Sequence, residues 1–344
     1  MRTSCDLLIT MKRHGNLWQH LVSYDNIQAA YNSARRGKTW QRAVQRCDRN
    51  VEQRLAKIQS ILLDKSYTTS KYKTKTITEP KVRIIYRLPF YPDRIIQHAL
   101  MNVLEPIWES LFIDNSYACR KGKGIHSGSL KTMEYVRKYQ YCLKCDISKF
   151  YPSISHDLLF SIVKKKIKCP DTLWLIENII YSIGSGKNTP IGNYTSQWFG
   201  NLYMNELDQF VKHDLKIKAY LRYCDDFLLF HDDKHVLNEC SKKIEKFLME
   251  KLCLVMSKCR LFPVKLGVDF LGYRHFRKYI LLRKSTVKRV TKRLAELPGK
   301  VQRGIITKDN ARSSIASTIG WMKWANCSNL RVKLRIDQLR DNYA

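Results

Sequence analysis

The chain has 344 residues, 44% of them hydrophobic and 11% aromatic. That is enough apolar material for a core spread over two or three compact subdomains, and it excludes a disordered chain. Lys and Arg number 62 against 30 Asp and Glu, a formal net charge of +32; the excess is spread over KVRIIYR, RKGKG, KKKIK, KKIEK and KRVTKR, which points to a polyanionic partner, nucleic acid ahead of a membrane surface.

The cysteines are odd in number and scattered, and only Cys142 and Cys145 form a CxxC. One CxxC without a second Cys/His pair is a weak zinc signal, so free thiols of a reducing compartment are expected. No apolar run approaches the roughly 18 residues of a membrane-spanning helix, and MRTSCDLLIT lacks the apolar stretch of a signal peptide. Met11 begins MKRHGNLW and reads as an alternative start, with residues 1–10 dispensable.

In chain order, residues 16–66 are expected to be helical, with Val51, Leu55, Ile58 and Leu62 at helical spacing. Residues 67–88 are rich in Thr, Tyr and Ile alternating with Lys and Arg, the pattern of a basic hairpin. A helix follows Pro92. RKGKGIHSG at 120–128 is a glycine-punctuated basic loop before the helix SLKTMEYVRKY. In YCLKCDI at 141–147, Tyr141, Leu143, Cys145 and Ile147 alternate with Cys142, Lys144 and Asp146, as on a strand. The two cysteines then point to opposite sheet faces, a further argument against zinc. Ser155 can cap the next helix, whose apolar face is Leu158, Leu159, Ile162 and Val163. Residues 196–214 and KKIEKFLMEKL are helical, 220–231 is a strand–turn–strand, and VDFLGYRHF with KYILLRK reads as a hairpin. In STVKRVTKRLAELPG, Val287, Val290, Leu294 and Leu297 form a narrow stripe, and Pro298-Gly299 is expected to end that helix. Two helical stretches follow, at about 308–325 and 328–341, the second containing the ambiguous NLRVKLRI.

LRYCDDFLLF at 221–230 poses an electrostatic problem. Adjacent carboxylates most often mark a solvated turn, but Tyr223, Phe227, Leu228, Leu229 and Phe230 force this segment into a core. Two neighbouring carboxylates there repel each other and are costly to desolvate. A divalent cation is the natural compensation, since Mg²⁺ takes a few carboxylate oxygens and completes its shell with water and phosphate. Two such ions about 4 Å apart can activate a 3′-hydroxyl and stabilise a leaving pyrophosphate. That chemistry needs a third carboxylate, and Asp146 in LKCDISKFY is the candidate; the backbone amides of Ile147 to Tyr151 are candidates to hold a triphosphate.

YCDDF resembles the YxDD box of reverse transcriptases, and the other blocks of that family follow in order. VRIIYRLPFYPDRIIQHALMNVLEPIWE and NSYACRKGKGIHSG resemble the two fingers blocks, and CDISKFYPSISHDLL the palm block with the first metal ligand. TPIGNYTSQ stands in the place of the primer-grip-proximal loop and helix, and LVMSKCRLF and VDFLGYRHF are similar to the later palm blocks. The match spans about residues 70–280. It implies an α+β right-hand polymerase fold, with an N-terminal helical extension at 1–66, fingers at 67–140, a palm with an antiparallel sheet at 141–283 and a helical thumb at 284–344. It implies catalytic Asp146, Asp225 and Asp226 binding two Mg²⁺ ions (Mn²⁺ able to substitute), with Ile147 in the metal shell. Lys81, Arg83 and Lys258 would meet the dNTP triphosphate or pyrophosphate, Tyr151 would lie under the sugar and exclude a 2′-hydroxyl, and Gly192 and Gln197 would line the nucleotide site. Read as residues alone, Lys81 and Arg83 suit a solvated hairpin face equally well, and Tyr151 suits the core.

Within the family, group II intron and most retroviral or retron-like enzymes carry QGxxxSP where this chain has Ile191 before Gly192 and Gln197 after Ser196. The I/V/L-GxxxSQ pattern resembles the reverse transcriptases of diversity-generating retroelements. That implies error-prone synthesis opposite template adenines, with Ile191 and Gln197 as fidelity determinants, a template-repeat RNA, an RNA–DNA hybrid and a small basic accessory protein as partners, and a cytoplasmic, bacterial or phage setting. Lys288, Arg289, Lys292 and Arg293 on the thumb are candidates to track nucleic-acid phosphates, against the plainer reading of a soluble face. The rivals are a retron, abortive-infection or group II-derived polymerase and a noncatalytic RNA-binding scaffold. The intact Asp146, Asp225, Asp226 and Tyr151 argue against the scaffold.

Overall fold

The computed structural model describes residues 13–78 and 81–343; Met11 and the beginning of MKRHGNLWQHL lie outside the described residues. In chain order the elements are α1 (Trp18–Leu21), α2 (Tyr24–Arg35), α3 (Arg42–Asp48), α4 (Val51–Leu63), β1 (Lys73–Ile77), β2 (Arg83–Arg87), α5 (Ile95–Glu109), α6 (Ile125–Lys138) and β3 (Tyr141–Ile147). Then come α7 (Phe150–Ser153), α8 (His156–Lys164), α9 (Pro170–Ile180), α10 (Tyr194–Gln209), β4 (Tyr220–Tyr223), β5 (Asp226–His231), α11 (Lys234–Leu252) and β6 (Met256–Pro263). The chain closes with β7 (Val268–Phe270), β8 (Tyr273–His275), β9 (Ile280–Leu282), α12 (Lys284–Gln302), α13 (Lys308–Met322), α14 (Ser328–Lys333) and α15 (Ile336–Asp341).

The chain divides into two compact units. One comprises the chain up to Asp114 together with Ile147–Asp214 and Ile244–Ser257. Its centre is α5, buried almost continuously from Ile95 to Met101 and again at Leu104, Ile107 and Trp108. Such all-round burial explains why this helix tolerates Pro106: the lost backbone hydrogen bond is outweighed by apolar surface removed from water. Helix α2 packs on α5 and α4, and α10 packs on α5 and α8. The expected spacing in α4 buries Leu55, Ile58 and Leu62. Ser155 caps α8 as expected, its hydroxyl accepting from the Leu158 amide at 3.5 Å. Strands β1 and β2 form the basic hairpin, antiparallel from Lys73↔Arg87 to Ile77↔Arg83.

The other unit comprises Asn115–Asp146, Leu215–Lys243 and the chain from Lys258 onward. It holds the sheet in the order β4-β5-β3-β6, with β3 and β4 both antiparallel to β5. One face packs Cys142, Leu221, Leu228 and Phe230 against Val136, Val264, Val268 and Phe270. A second core, under the C-terminal helices, joins Val290, Leu294 and Leu297 of α12 to Ala311, Ile315, Met322 and Ile336.

Four local expectations need correction. Helix α6 starts at Ile125, inside RKGKGIHSG, so only the first part of that stretch is loop. VDFLGYRHF is itself bent: Leu271 and Gly272 both take positive φ (54° and 85°), turning β7 directly into β8, so the region is a three-stranded meander β7-β8-β9. Helix α12 runs through Pro298-Gly299 to Gln302. An interior proline costs about 3 kcal/mol, and burial of Leu294 and Leu297 before it, with Val301 packed beyond it, offsets that cost. NLRVKLRI is helical on both sides of a break at Arg335, which takes φ 48°.

His275 in β8 is fully buried. Its Nδ1 donates to the Val268 carbonyl (3.1 Å) and its Nε2 accepts from the Ser129 hydroxyl (2.8 Å). Burial pushes its pKa from 6.5 down to about 4, with the Val268 bond and Asp269 opposing and Lys144 assisting. The unfolded chain therefore takes up the proton first as pH falls. This contribution to stability is complete above about pH 6.5 and is lost on the way to pH 4, at most about 3 kcal/mol. In urea unfolding, His275→Gln is expected to lose less stability between pH 7 and pH 5 than the wild type.

Candidate active site

Strand β3 ends where β5 begins, and the ladder pairs Asp146 directly with Asp226. Cys224 and Asp225 form the turn between β4 and β5, so a third carboxylate lies beside that pair. The tight turn requires a positive φ, and Cys224 supplies it at 54°, a conformation that costs a side-chain-bearing residue roughly 1–2 kcal/mol. Arg222 offsets this. It is fully buried, and its guanidinium donates to the Cys224 carbonyl (2.9 Å) and the Ser116 hydroxyl (3.1 Å). Backbone hydrogen bonds from Arg222 to Asn115 and from Tyr117 to Arg222, both 2.9 Å, fasten the same segment along β4.

Asp226 carries the electrostatic load. Its side chain is 27% exposed and lies 3.4 Å from Lys144 Nζ through Oδ2, while Oδ1 is buried without a hydrogen-bond partner. Burial raises its pKa to about 6; Lys144 opposes the rise, and Asp146 and Asp225 add to it by repulsion. Lys144 is held in place by the Asp269 carbonyl at 2.6 Å. It lies two residues before Asp146 on the same strand face, so strand alternation already carried the signal.

Among the described residues, no group of three or more His, Cys, Asp or Glu side chains is gathered tightly enough, as it stands, to hold a metal ion. The fit to a divalent cation rests on the orphaned Oδ1 of Asp226 and on three oxygen-donor side chains at adjoining strand ends, the donor chemistry that Mg²⁺ prefers. Lys144 supplies part of the positive charge this arrangement calls for. The CxxC thiols point away from each other: Cys142 lies in the core under β5, and Cys145 contacts Cys259. Lys258 is exposed on β6, next to β3 in the sheet.

In the first unit, Lys81 and Arg83 are exposed at the β1–β2 hairpin. The loop carrying Ile191 and Gly192 is fastened by its backbone. The Tyr86 amide donates to the Ile191 carbonyl (2.8 Å), and Arg94 donates to the Gly192 carbonyl (2.7 Å). Gly192 has φ 127°, and a Cβ there would meet the Tyr86 carbonyl oxygen at 2.1 Å, so only glycine fits. Ile191 is half-buried and Gln197 is exposed in the first turn of α10. Tyr151 is half-buried beside Phe150, ring centroids 5.1 Å apart. A Cβ on Gly200 would meet both rings at 3.2 Å, so Gly200 leaves room for the pair. Of the amides from Ile147 to Tyr151, that of Ser148 already donates to Val255 at 2.8 Å and is not open to a phosphate.

On α12, Lys288, Arg289 and Lys292 are exposed, whereas Arg293, also on the surface, donates to the Thr318 hydroxyl at 2.5 Å and is committed to packing α12 on α13. Sequence reasoning passed over Lys144, Arg222 and Arg94. Arg222 directly precedes the YCDD segment, but only its long-range partners at Asn115–Tyr117 reveal its part.

Residues 71–275 match the family described as "Reverse transcriptase (RNA-dependent DNA polymerase)". The chain is 26% identical over 241 residues to "Protein YkfC" of Escherichia coli (strain K12), covering 56% of this chain and 62% of that protein. It is 26% identical over 244 residues to "Group II intron-encoded protein LtrA" of Lactococcus lactis subsp. cremoris, covering 66% of this chain and 39% of that protein. The chain thus spans less than two thirds of either relative. Among solved structures, apo telomerase from Candida Tropicalis, truncated from its C-terminal domain, aligns with a TM-score of 0.46 at 12% identity, covering 62% of this chain and 55% of that one.

If the carboxylates are a cation site, Asp226→Asn removes repulsion and is expected to melt higher than the wild type in EDTA, by about 1 kcal/mol of stability. Added Mg²⁺ is expected to raise the wild-type Tm and to raise that of the variant less. Differential scanning calorimetry with and without Mg²⁺ checks both.

Proposed function

This chain belongs to the reverse transcriptase (RNA-dependent DNA polymerase) family, and on that premise we propose that it acts as an RNA-directed DNA polymerase. The observation that carries the reading is the set of Asp146, Asp225 and Asp226 at adjoining strand ends, with Asp226 half-neutralised by Lys144 and left with one orphaned oxygen. A noncatalytic scaffold gains nothing from keeping such carboxylates together. Residues 67–140 are assigned to fingers, 141–283 to palm and 284–344 to thumb, with 1–66 as a helical extension.

Asp146 and Asp225, with Asp226 and the Ile147 backbone, would hold Mg²⁺, which supplies Lewis-acid activation of a primer 3′-hydroxyl and neutralises a nucleoside triphosphate. Lys144 holds the Asp226 carboxyl ionised against its neighbours. Arg222 keeps the turn bearing Asp225 in one conformation. Lys81, Arg83 and Lys258 are assigned to the triphosphate and pyrophosphate, Tyr151 to exclusion of a 2′-hydroxyl, and Lys288, Arg289 and Lys292 to the phosphates of template RNA or of the hybrid. No helix among the described residues is long and apolar enough to cross a membrane.

The finer reading is the reverse transcriptase of a diversity-generating retroelement: a low-fidelity enzyme that copies a template-repeat RNA, misreads adenines and works with a small basic accessory protein. Ile191 and Gln197 support it, because they replace the QGxxxSP pattern while Gly192 is kept. Backbone bonds hold the Ile191–Gly192 segment, so exchanging the Ile191 side chain changes the chemistry of the site without releasing the loop. The likeness to a group II intron-encoded protein favours a second reading, a group II-derived polymerase.

Primer extension on an RNA template with Mg²⁺ tests the polymerase reading: cDNA is expected from the wild type and none from Asp225→Asn, and product from the variant would overturn it. Sequencing the cDNA separates the two finer readings, with errors concentrated at template adenines expected for the first and an even spectrum for the second. Ile191→Gln is expected to lower adenine errors several-fold, and an unchanged spectrum would remove Ile191 as a fidelity determinant.

A further inference from the structure

Asp146 and Asp225 are each directly preceded by a cysteine, and each cysteine lies against a second thiol from a distant part of the same unit. Cys145 Sγ is 3.5 Å from Cys259 Sγ, which is itself 3.1 Å from the Ser241 hydroxyl. The thiols of Cys224 and Cys119 hydrogen-bond to each other, aligned by the backbone bonds that run segment 115–117 parallel to β4. In each pair one thiol is open to solvent: Cys259 and Cys119 are exposed, Cys145 is buried and Cys224 half-buried. Cys142, by contrast, sits in the core among apolar side chains and serves as a small hydrophobe.

The spacing of Cys145 and Cys259 suits covalent closure. Strands β3 and β6 are hydrogen-bonded neighbours. Neighbouring strands lie about 4.8 Å apart, close enough for cysteines on adjoining strands to be bridged by a disulfide, which spans a Cα separation of roughly 4.4–6.8 Å. The sulfurs, 3.5 Å apart, have only about 1.5 Å to close to reach the bonded distance of about 2.05 Å.

We propose that Cys145–Cys259 and Cys119–Cys224 are oxidisable dithiol sites that close to intramolecular disulfides, clamping the strand end that bears Asp146 and the turn that bears Asp225. With a small-molecule disulfide as oxidant, the exposed Cys259 or Cys119 attacks one sulfur and expels one small thiol. Cys145 or Cys224 then attacks the mixed disulfide and expels the second. Two S–H bonds are lost and one S–S bond forms, the two protons and two electrons leaving with two molecules of reduced thiol. A clamped turn cannot adjust its carboxylates to a ligand, so oxidation lowers the activity of the site and reduction restores it.

The covalent readout does not depend on the proposed polymerase activity. The full chain is incubated with oxidised glutathione, its remaining thiols are alkylated with N-ethylmaleimide, and unreduced peptides are analysed by mass spectrometry. The expected products are peptides linking Cys145 to Cys259 and Cys119 to Cys224, each pair lighter by two hydrogens and separated by dithiothreitol. Finding the four cysteines alkylated, or Cys259 and Cys119 carrying glutathione with no internal link, would overturn the proposal; one pair remaining open would remove that pair. In primer extension, oxidised wild type is expected to lose activity and to regain it with dithiothreitol, while Cys119→Ser/Cys259→Ser keeps its activity in oxidant. Equal losses in both proteins would overturn the clamp.

Discussion

Asp226 is a carboxylate that a folding chain avoids: partly buried, directly opposite Asp146 across a strand pair, next to Asp225, and offset by one lysine at 3.4 Å. The local structure is arranged to tolerate it. The β3–β5 register cannot slip by one residue without sending Lys144 and Asp146 to the opposite face. The apolar run Phe227–Phe230 supplies the burial that pins this register, since these four residues are essentially inaccessible to water. The hydrophobic effect thus holds in place a charge arrangement that is unfavourable by itself.

Two kinds of fixation recur. Around the carboxylates a buried side chain, Arg222, holds the backbone of the turn through the Cys224 carbonyl. Around Ile191 the backbone holds itself, through Tyr86, with Arg94 on the next carbonyl. The first kind is sensitive to a single substitution: losing Arg222 removes its hydrogen bond to the Cys224 carbonyl and a guanidinium from a packed interior, an effect worth several kcal/mol. The second leaves side chains at 191 and 197 open to exchange, because the loop's path is set by carbonyl bonds and by the close approach of Gly192 to Tyr86.

Much of the carboxylate site was legible in the sequence because it is built from local periodicity. Alternation in YCLKCDI assigned faces correctly, the YCDD segment read as a bend between strands, and Ser155 read as a cap. What escaped was long-range. Nothing near Arg222 announces that its partners are Asn115, Ser116 and Tyr117, and the pairing of Cys145 with Cys259 depends on which strand neighbours β3. Helix α12 was expected to stop at Pro298 on a local rule, and it continues because Leu294, Leu297 and Val301 share a core with α13. The β7–β8 bend at Leu271-Gly272 was missed because a leucine rarely takes a left-handed conformation; here the strand pairing on both sides imposes it.

The two rims of the four-stranded sheet are treated differently. Beside β4 the rim is closed by segment 115–117, while beyond β6 no further strand is added among the described residues, and Ser257 through Arg260 are exposed. A bare strand rim is a template on which a second copy of the chain could add its own strand. Lys258 and Arg260 project from the same side of β6, so any such stacking would bring like charges together in a protein already carrying +32. Neutralising these two positions would endanger colloidal behaviour before it touched the fold, so Lys258 discourages edge-to-edge strand pairing whatever else it contacts.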